Sequence, residues 1–353
     1  FVNRQGFWFL MGCSGSTAAE GSPPAAKGKG GGKRELDISE KNLNKMEGVT
    51  PGLTKINASD NQITEIPEDI GMCTMLESLD MNGNELTTVP AAIAACESLT
   101  ELLLYKNQIK ELPAAVGSLT ALKTLNLFNN KMKKLPTDLG KLANLEEVNV
   151  AANKLMMIPD DVFTGWASVE ILNLYDNNLV RLGSLAPLVA LKELRIYGNN
   201  LEEMPAFSGE GPYALEILEI HKNRVATIPD DYFTKLPALK RLVASNNMLT
   251  ALPASLCSCS SLEQVQVQEN KLTSLPSGVA WPVSLVTLFV QENSGITSLP
   301  AELGSCEAML RCNIKNLTLD EASMEVSSKL ATICTSKKGG AFWDVAGRQM
   351  AGP

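Results

Sequence analysis

His221 is the sole histidine in the 353-residue chain, so imidazole chemistry has one place to happen. No Ser or Cys nucleophile motif accompanies it, and a general base with nothing to activate is not a catalytic arrangement. Two acid pairs, Asp160-Asp161 and Asp230-Asp231, have the residue types for acid–base or metal work. Both follow Ile-Pro at the same place in a recurring frame, which predicts capping of a short helix by carboxylates. Cys257-x-Cys259 is too tightly spaced for a zinc pair, and His221 alone could add an imidazole. The run Gly28-Lys29-Gly30-Gly31-Gly32-Lys33 ends in Arg34, where a phosphate loop needs Ser or Thr, so it reads as a basic linker. The expectation is a chain with no catalytic residue, no cofactor and no metal.

One segment does invite covalent chemistry. Met11-Gly12-Cys13-Ser14-Gly15-Ser16 matches the N-myristoylation pattern if Met11 is the start. Gly12 would take the acyl chain, and Cys13 beside it is suited to palmitoylation. One myristoyl chain binds membrane with an association constant of only about 10⁴ M⁻¹, so stable attachment needs a second chain or a basic patch. Lys27, Lys29, Lys33 and Arg34 form such a patch. The alternative is a bacterial lipoprotein cleavage site at Leu10-Met11-Gly12-Cys13, which would lipidate Cys13 outside the cytosol. Phe1 to Leu10 is upstream or spurious sequence on the first reading and a truncated signal segment on the second.

What positions everything else is a repeat. Leu-x-x-Leu-x-Leu-x-x-Asn-x-Leu-x-x-Leu-Pro starts at Leu53, Leu76, Leu99, Leu122, Leu145, Val169, Leu191, Leu215, Leu239, Leu262 and Leu285, with 22 to 24 residues between starts. In the unit from Leu99, Leu102 and Leu104 mark a short strand with one inward face. Asn107 follows, then Ile109, Leu112, Pro113, Val116 and Leu119, which carry the chain across the back. One unit cannot enclose this core, so neighbours must stack. The asparagine column from Asn61 through Asn130 and Asn177 to Asn293 is predicted to be buried and bonded to backbone at the strand ends, because a buried amide needs partners. The repeat that starts at Val169 departs, with Leu182-Gly183 in the Leu-Pro place.

The pattern predicts an α/β fold, a leucine-rich repeat solenoid curved as a horseshoe with a parallel β-sheet on its concave face and a C-terminal capping helix. Leu36-Asp37-Ile38 opens an atypical half-repeat with Lys41 in the asparagine place. At the other end Leu319, Ala322, Val326, Leu330 and Ile333 share a helical face after Thr318 as N-cap. The tail Phe342-Trp343-Asp344-Val345-Ala346-Gly347-Arg348 is either a hairpin on that cap or a free peptide motif. The expected organisation is a disordered tether over 1–35, the solenoid over 36–317, and the cap helix and tail over 318–353.

A net charge of −8 argues against a nucleic-acid partner. No stretch reaches the length of a transmembrane helix. Cys73, Cys96 and Cys259 stand where other repeats carry Leu119 and Leu142, and no cysteine-rich cap flanks the array. That usage points to core thiols in a reduced, cytoplasmic setting.

Over residues 36–309 the motif resembles the intracellular leucine-rich-repeat scaffolds of the Ras group, including the Ras suppressors and their plant relatives. The resemblance implies protein binding, with a small GTPase or a phosphatase as partner. The outward column three residues after the second leucine of each repeat groups Tyr105, Phe128, Tyr175, Tyr197 and His221 in the middle repeats. With Leu103, Arg195, Glu219 and Lys222 beside it, this strip is the expected partner-binding site. A purely structural cross-strand ladder is the alternative. The expected function is a non-enzymatic scaffold or adaptor binding a protein through the concave face, peripheral on the cytosolic side of a membrane. A structural subunit of a larger assembly, or the repeat-bearing part of a larger signalling enzyme, is the runner-up.

Overall fold

A computed structural model describes residues 34–207, 209 and 213–352. Gly12 and Cys13, with Lys27, Lys29 and Lys33 of the basic linker, lie outside the described residues. Among those described, no helix is long and apolar enough to cross a membrane.

Fifteen strands form one sheet in strict chain order. Neighbours are parallel up to the final pair, Ala341–Trp343 and Gln349–Ala351, which is antiparallel. From Ser78–Asp80 onward each strand has three residues, and in the repeats the middle one points inward. Leu102, Leu125, Val148, Leu172 and Leu194 lie in register and are fully buried, while the residues flanking them face the other side. This is the leucine-rich repeat solenoid that the spacing predicts.

The asparagines stitch repeat to repeat. Asn130 Nδ2 donates to Leu104 O of the preceding repeat (2.9 Å) and to Leu127 O (3.1 Å), and its Oδ1 accepts the Ile109 N–H (2.9 Å). Asn177 does the same with Val150, Leu174 and Leu155. Ten of the eleven column members are buried and Asn270 is half-buried. The residue just before each one holds a left-handed backbone, yet glycine fills that place only at Gly83 and Gly198. Ala152 (φ 52°) and Lys222 (φ 54°) are among the others. Lys41 fills the corresponding place in the opening half-repeat, where its N–H reaches Asn61 Oδ1 at 3.1 Å.

Behind the sheet the Leu-Pro motif opens 3₁₀ helices, and proline is the N-cap of seven of the eight found among the described residues. The acid pairs therefore act differently from expectation. Asp160 and Asp161 sit inside the first turn of Asp160–Val162 behind Pro159, and Asp231 precedes Tyr232–Lys235, yet no carboxylate makes a capping bond. Their contribution is charge beside the helix start. In the repeat that starts at Val169, a Cβ at residue 183 would meet the Asp160 carboxylate, which would have to swing aside.

The capping helix α1 spans Glu321–Thr335. Its N-cap is Asp320, whose carboxylate accepts the Ser323 N–H at 2.8 Å, and not Thr318. The inward face is Ser323, Val326, Ser327, Leu330 and Cys334; Ala322 is exposed and Ile333 half-buried. The face is rotated because Ser323 Oγ accepts the buried Leu299 N–H of the last repeat (2.8 Å), a hydrophilic role that apolar periodicity does not register. Beyond α1 the tail is a hairpin that extends the sheet, with Phe342 buried in register with Cys312.

Candidate protein-binding surface

Each three-residue strand leaves two side chains on the open face of the sheet, and the residue two positions further on adds a third. Parallel register brings like positions of successive repeats side by side, so this face is built of columns. In the third column Tyr175 and Tyr197 stack with ring centroids 4.6 Å apart and planes 7° from parallel. Tyr197 and His221 stack at 4.3 Å and 13°. Phe128 closes on Tyr175 at 6.1 Å, leaning over the fully buried Ala151 of the repeat between them. Phe128, Tyr175, Tyr197 and His221 are all half-buried, so the stack keeps part of its surface open. Tyr105 shares the column, but it joins no ring pair among the described residues. Leu103 is half-buried beside Asn126 of the next strand.

The charged border is partly internal. Glu219 is buried between two arginines, with Oε1 3.1 Å from Arg241 Nη2 and Oε2 3.6 Å from Arg195 Nε. Arg195 also pairs with Glu193 at 2.6 Å and bonds Asn173 Oδ1 at 3.3 Å. Glu219 thus orients two arginines and presents no free carboxylate. Lys222 is exposed and forms no ion pair among the described residues.

Burial sets the protonation states. It pushes the Tyr197 hydroxyl up to about 12, with Tyr175, Asp176 and Glu219 adding to the effect. Tyr175 moves in the same direction, chiefly by burial. Burial, then the charges of Lys222 and Arg241, pull His221 down from 6.5 to about 4, so its imidazole is neutral at pH 7.

Several participants escaped the sequence reading. Arg241 is one, because its strand position alternates chemistry from repeat to repeat. Phe289 and Trp343 meet edge-on at 6.1 Å on the same face, across the intervening Asn313. The alternation of Phe342-Trp343 against the strand period was the available signal. Four buried side-chain atoms on this face have no hydrogen-bond partner among the described residues: His221 Nδ1, Arg241 Nε, Gln268 Oε1 and Gln291 Oε1.

Among the described residues the thiols offer no competing site. Cys259 and Cys306 are buried and Cys257 half-buried, and burial lifts all three to about 11, away from nucleophilic thiolate. Cys73 Sγ and Cys96 Sγ donate to Thr50 O and Ile70 O, so they act as core groups.

Residues 52–155 match a leucine-rich repeat region, and residues 143–201 and 214–272 match the leucine rich repeat. The chain is 33% identical to osteomodulin of Bos taurus over 90 residues, which covers 26% of this chain and 21% of osteomodulin. It is 29% identical to lumican of Bos taurus over 102 residues, 28% of this chain and 30% of lumican. The match therefore spans less than a third of either relative. Among solved structures it is similar to the functional domain of InlJ from Listeria monocytogenes, with TM-score 0.68, 20% identity and coverage of 81% of this chain and 59% of that one. It is also similar to the Arabidopsis receptor kinase HAESA, solved in complex with the peptide hormone IDA and the co-receptor SERK1. That likeness has TM-score 0.65, 27% identity and coverage of 76% of this chain and 46% of that one.

Proposed function

We propose that this leucine-rich repeat protein is a non-enzymatic scaffold that binds a protein partner on its sheet face, anchored by the strip from Phe128 to His221. The observation that carries the reading is the open stack Tyr175–Tyr197–His221 beside the Arg195–Glu219–Arg241 cluster. Aromatic and arginine side chains held rigid by their neighbours lose little freedom on binding, which is what an interface anchor requires. HAESA, whose repeats are similar, was solved with a peptide hormone, and that supports a peptide or protein as the ligand class here.

Finer proposals follow from the sequence. The resemblance to the Ras-group scaffolds makes a small GTPase or a phosphatase the partner to try first. Acylation at Gly12 and Cys13 with the basic linker would hold the scaffold at the cytosolic face of a membrane. The seven described cysteines are all free, which supports a reduced compartment. The test is quantitative capture by wild-type protein and by Tyr175→Ala with Tyr197→Ala, followed by titration of each captured partner. Loss of a specific partner at unchanged thermal stability supports the interface. Equal affinity for both proteins would leave the stack as a ladder that serves only the fold.

A further inference from the structure

Past the asparagine ladder, each repeat contributes a four-residue segment to a flank of the solenoid. The Lys131 N–H donates to Ile109 O (2.9 Å), Lys154 N–H to Met132 O (2.8 Å), Asn178 N–H to Leu155 O (2.9 Å) and Val180 N–H to Met156 O (3.4 Å). Segments 108–111, 131–134, 154–157 and 178–181 therefore run side by side, and like positions form rows. One row is Lys110, Lys133, Met156, Val180; the next is Glu111, Lys134, Met157, Arg181.

The rows have an unusual composition for a chain of net charge −8. At their centre Met156 is 65% exposed, Met157 48% and Val180 45%. Around these lie Lys110, Lys131, Lys133, Lys134, Lys154 and Arg181, all exposed, against the one carboxylate within the four segments, Glu111, with Asp160 and Asp161 bordering Met157 and Arg181 at one edge. Lys134 pairs with Glu111 at 3.6 Å, whereas Lys110, Lys133, Lys154 and Arg181 form no ion pair among the described residues. The basic stretch is confined: the next repeat places Glu202 and Glu203 in the same rows.

We infer that this flank is a lipid-contacting surface, which seats on an anionic bilayer with Met156, Met157 and Val180 entering the interface and the lysines on the headgroups. An apolar centre ringed by unpaired cations is the composition of interfacial membrane binders. Lysine stems lie along apolar surface and carry their charge outward, so the ring and the centre engage a flat surface together. Single acyl chains bind only weakly, and a folded basic flank supplies a second attachment signal to a chain carrying Met11-Gly12-Cys13. The inference does not depend on the sheet-face reading, and its failure would leave that reading untouched.

The test uses unacylated full chain with Lys27→Gln, Lys29→Gln, Lys33→Gln and Arg34→Gln, so that the linker cannot act in place of the flank. Its probes are phosphatidylcholine vesicles with and without phosphatidylserine. Sedimentation should show binding only with phosphatidylserine, weakening as salt rises. Lys133→Glu with Lys154→Glu should lower partitioning by at least about tenfold. Met156→Ser with Met157→Ser should lower it several-fold and leave the salt dependence in place, each variant keeping its melting temperature. Absence of binding to phosphatidylserine vesicles would overturn the inference, as would binding indifferent to the Lys133 and Lys154 changes. Equal binding to soluble polyglutamate, insensitive to the methionine changes, would overturn it in favour of an acidic protein.

Discussion

At Asn130 one side chain ties two repeats together, donating to Leu104 O and accepting the Ile109 N–H. Asn130→Ala would leave the buried Ile109 N–H unpaired, while Leu104 O and Leu127 O keep the amides of Asn107 and Asn153, a cost on the order of 2 kcal/mol that urea denaturation should register. The neighbouring column carries the opposite opportunity. Ala152 holds φ 52°, which an alanine adopts with strain, so Ala152→Gly should stabilise by about 0.5 kcal/mol once the flexibility of glycine is counted. His221 makes a pH prediction. Its folded pKa of about 4 lies below the ordinary 6.5, so the unfolded chain takes up the proton first as pH falls. The stability contribution is complete above pH 6.5 and is lost progressively as pH falls toward 4, by on the order of 1 kcal/mol after allowing for solvent screening of a half-buried group. Because the chain has one histidine, its imidazole resonance is unambiguous. A titration midpoint near 4 is expected, and one near 6.5 would show that the ring is not desolvated against Tyr197.

At the scale of elements the cap decides whether the last repeat keeps its core. Asp320→Ala removes the one side-chain cap of α1 and should cost about 1 kcal/mol. Ser323→Ala should cost about 1–3 kcal/mol, because the Leu299 N–H is buried and has no other acceptor in reach. Thermal melts of both variants check the order. These are also the places where the sequence was least legible. Strands and the asparagine column follow from the period, since every repeat restates the same packing. The α1 face does not, because Ser323 points inward for a hydrogen bond and periodicity counts only apolar residues. The left-handed residue before each asparagine is invisible for a similar reason: Lys106, Asn129, Ala152 and Glu269 share a backbone angle and no chemistry. In the candidate site, Tyr175, Tyr197 and His221 were legible as a column. The burial of Glu219 between Arg195 and Arg241, and the pairing of Phe289 with Trp343, depend on side-chain directions across strands far apart in sequence.

For the whole molecule, stacking makes each repeat answerable mainly to its two neighbours, so a long face can vary in chemistry while the core stays constant. That separation puts an aromatic strip on the sheet and a basic, methionine-bearing flank beyond the asparagines without cost to either. Attachment and partner binding can then be separated experimentally. On the proposed acylation, Gly12→Ala in protein starting at Met11 should abolish myristoylation and release most of it to the cytosol in eukaryotic cells, while partner affinity in solution stays as in wild type. Intact-mass analysis of the mature N-terminus with fractionation reads this, and lipid only on Cys13 as a new N-terminus would establish the lipoprotein alternative. The central claim is that the Tyr175–Tyr197–His221 stack is an anchor for a protein. It is tested most directly by isothermal titration of a captured partner into wild type and into Tyr175→Ala with Tyr197→Ala. At about 2 kcal/mol for each anchor, affinity should fall by at least about a hundredfold while the melting temperature holds. An unchanged dissociation constant at an unchanged melting temperature would contradict it.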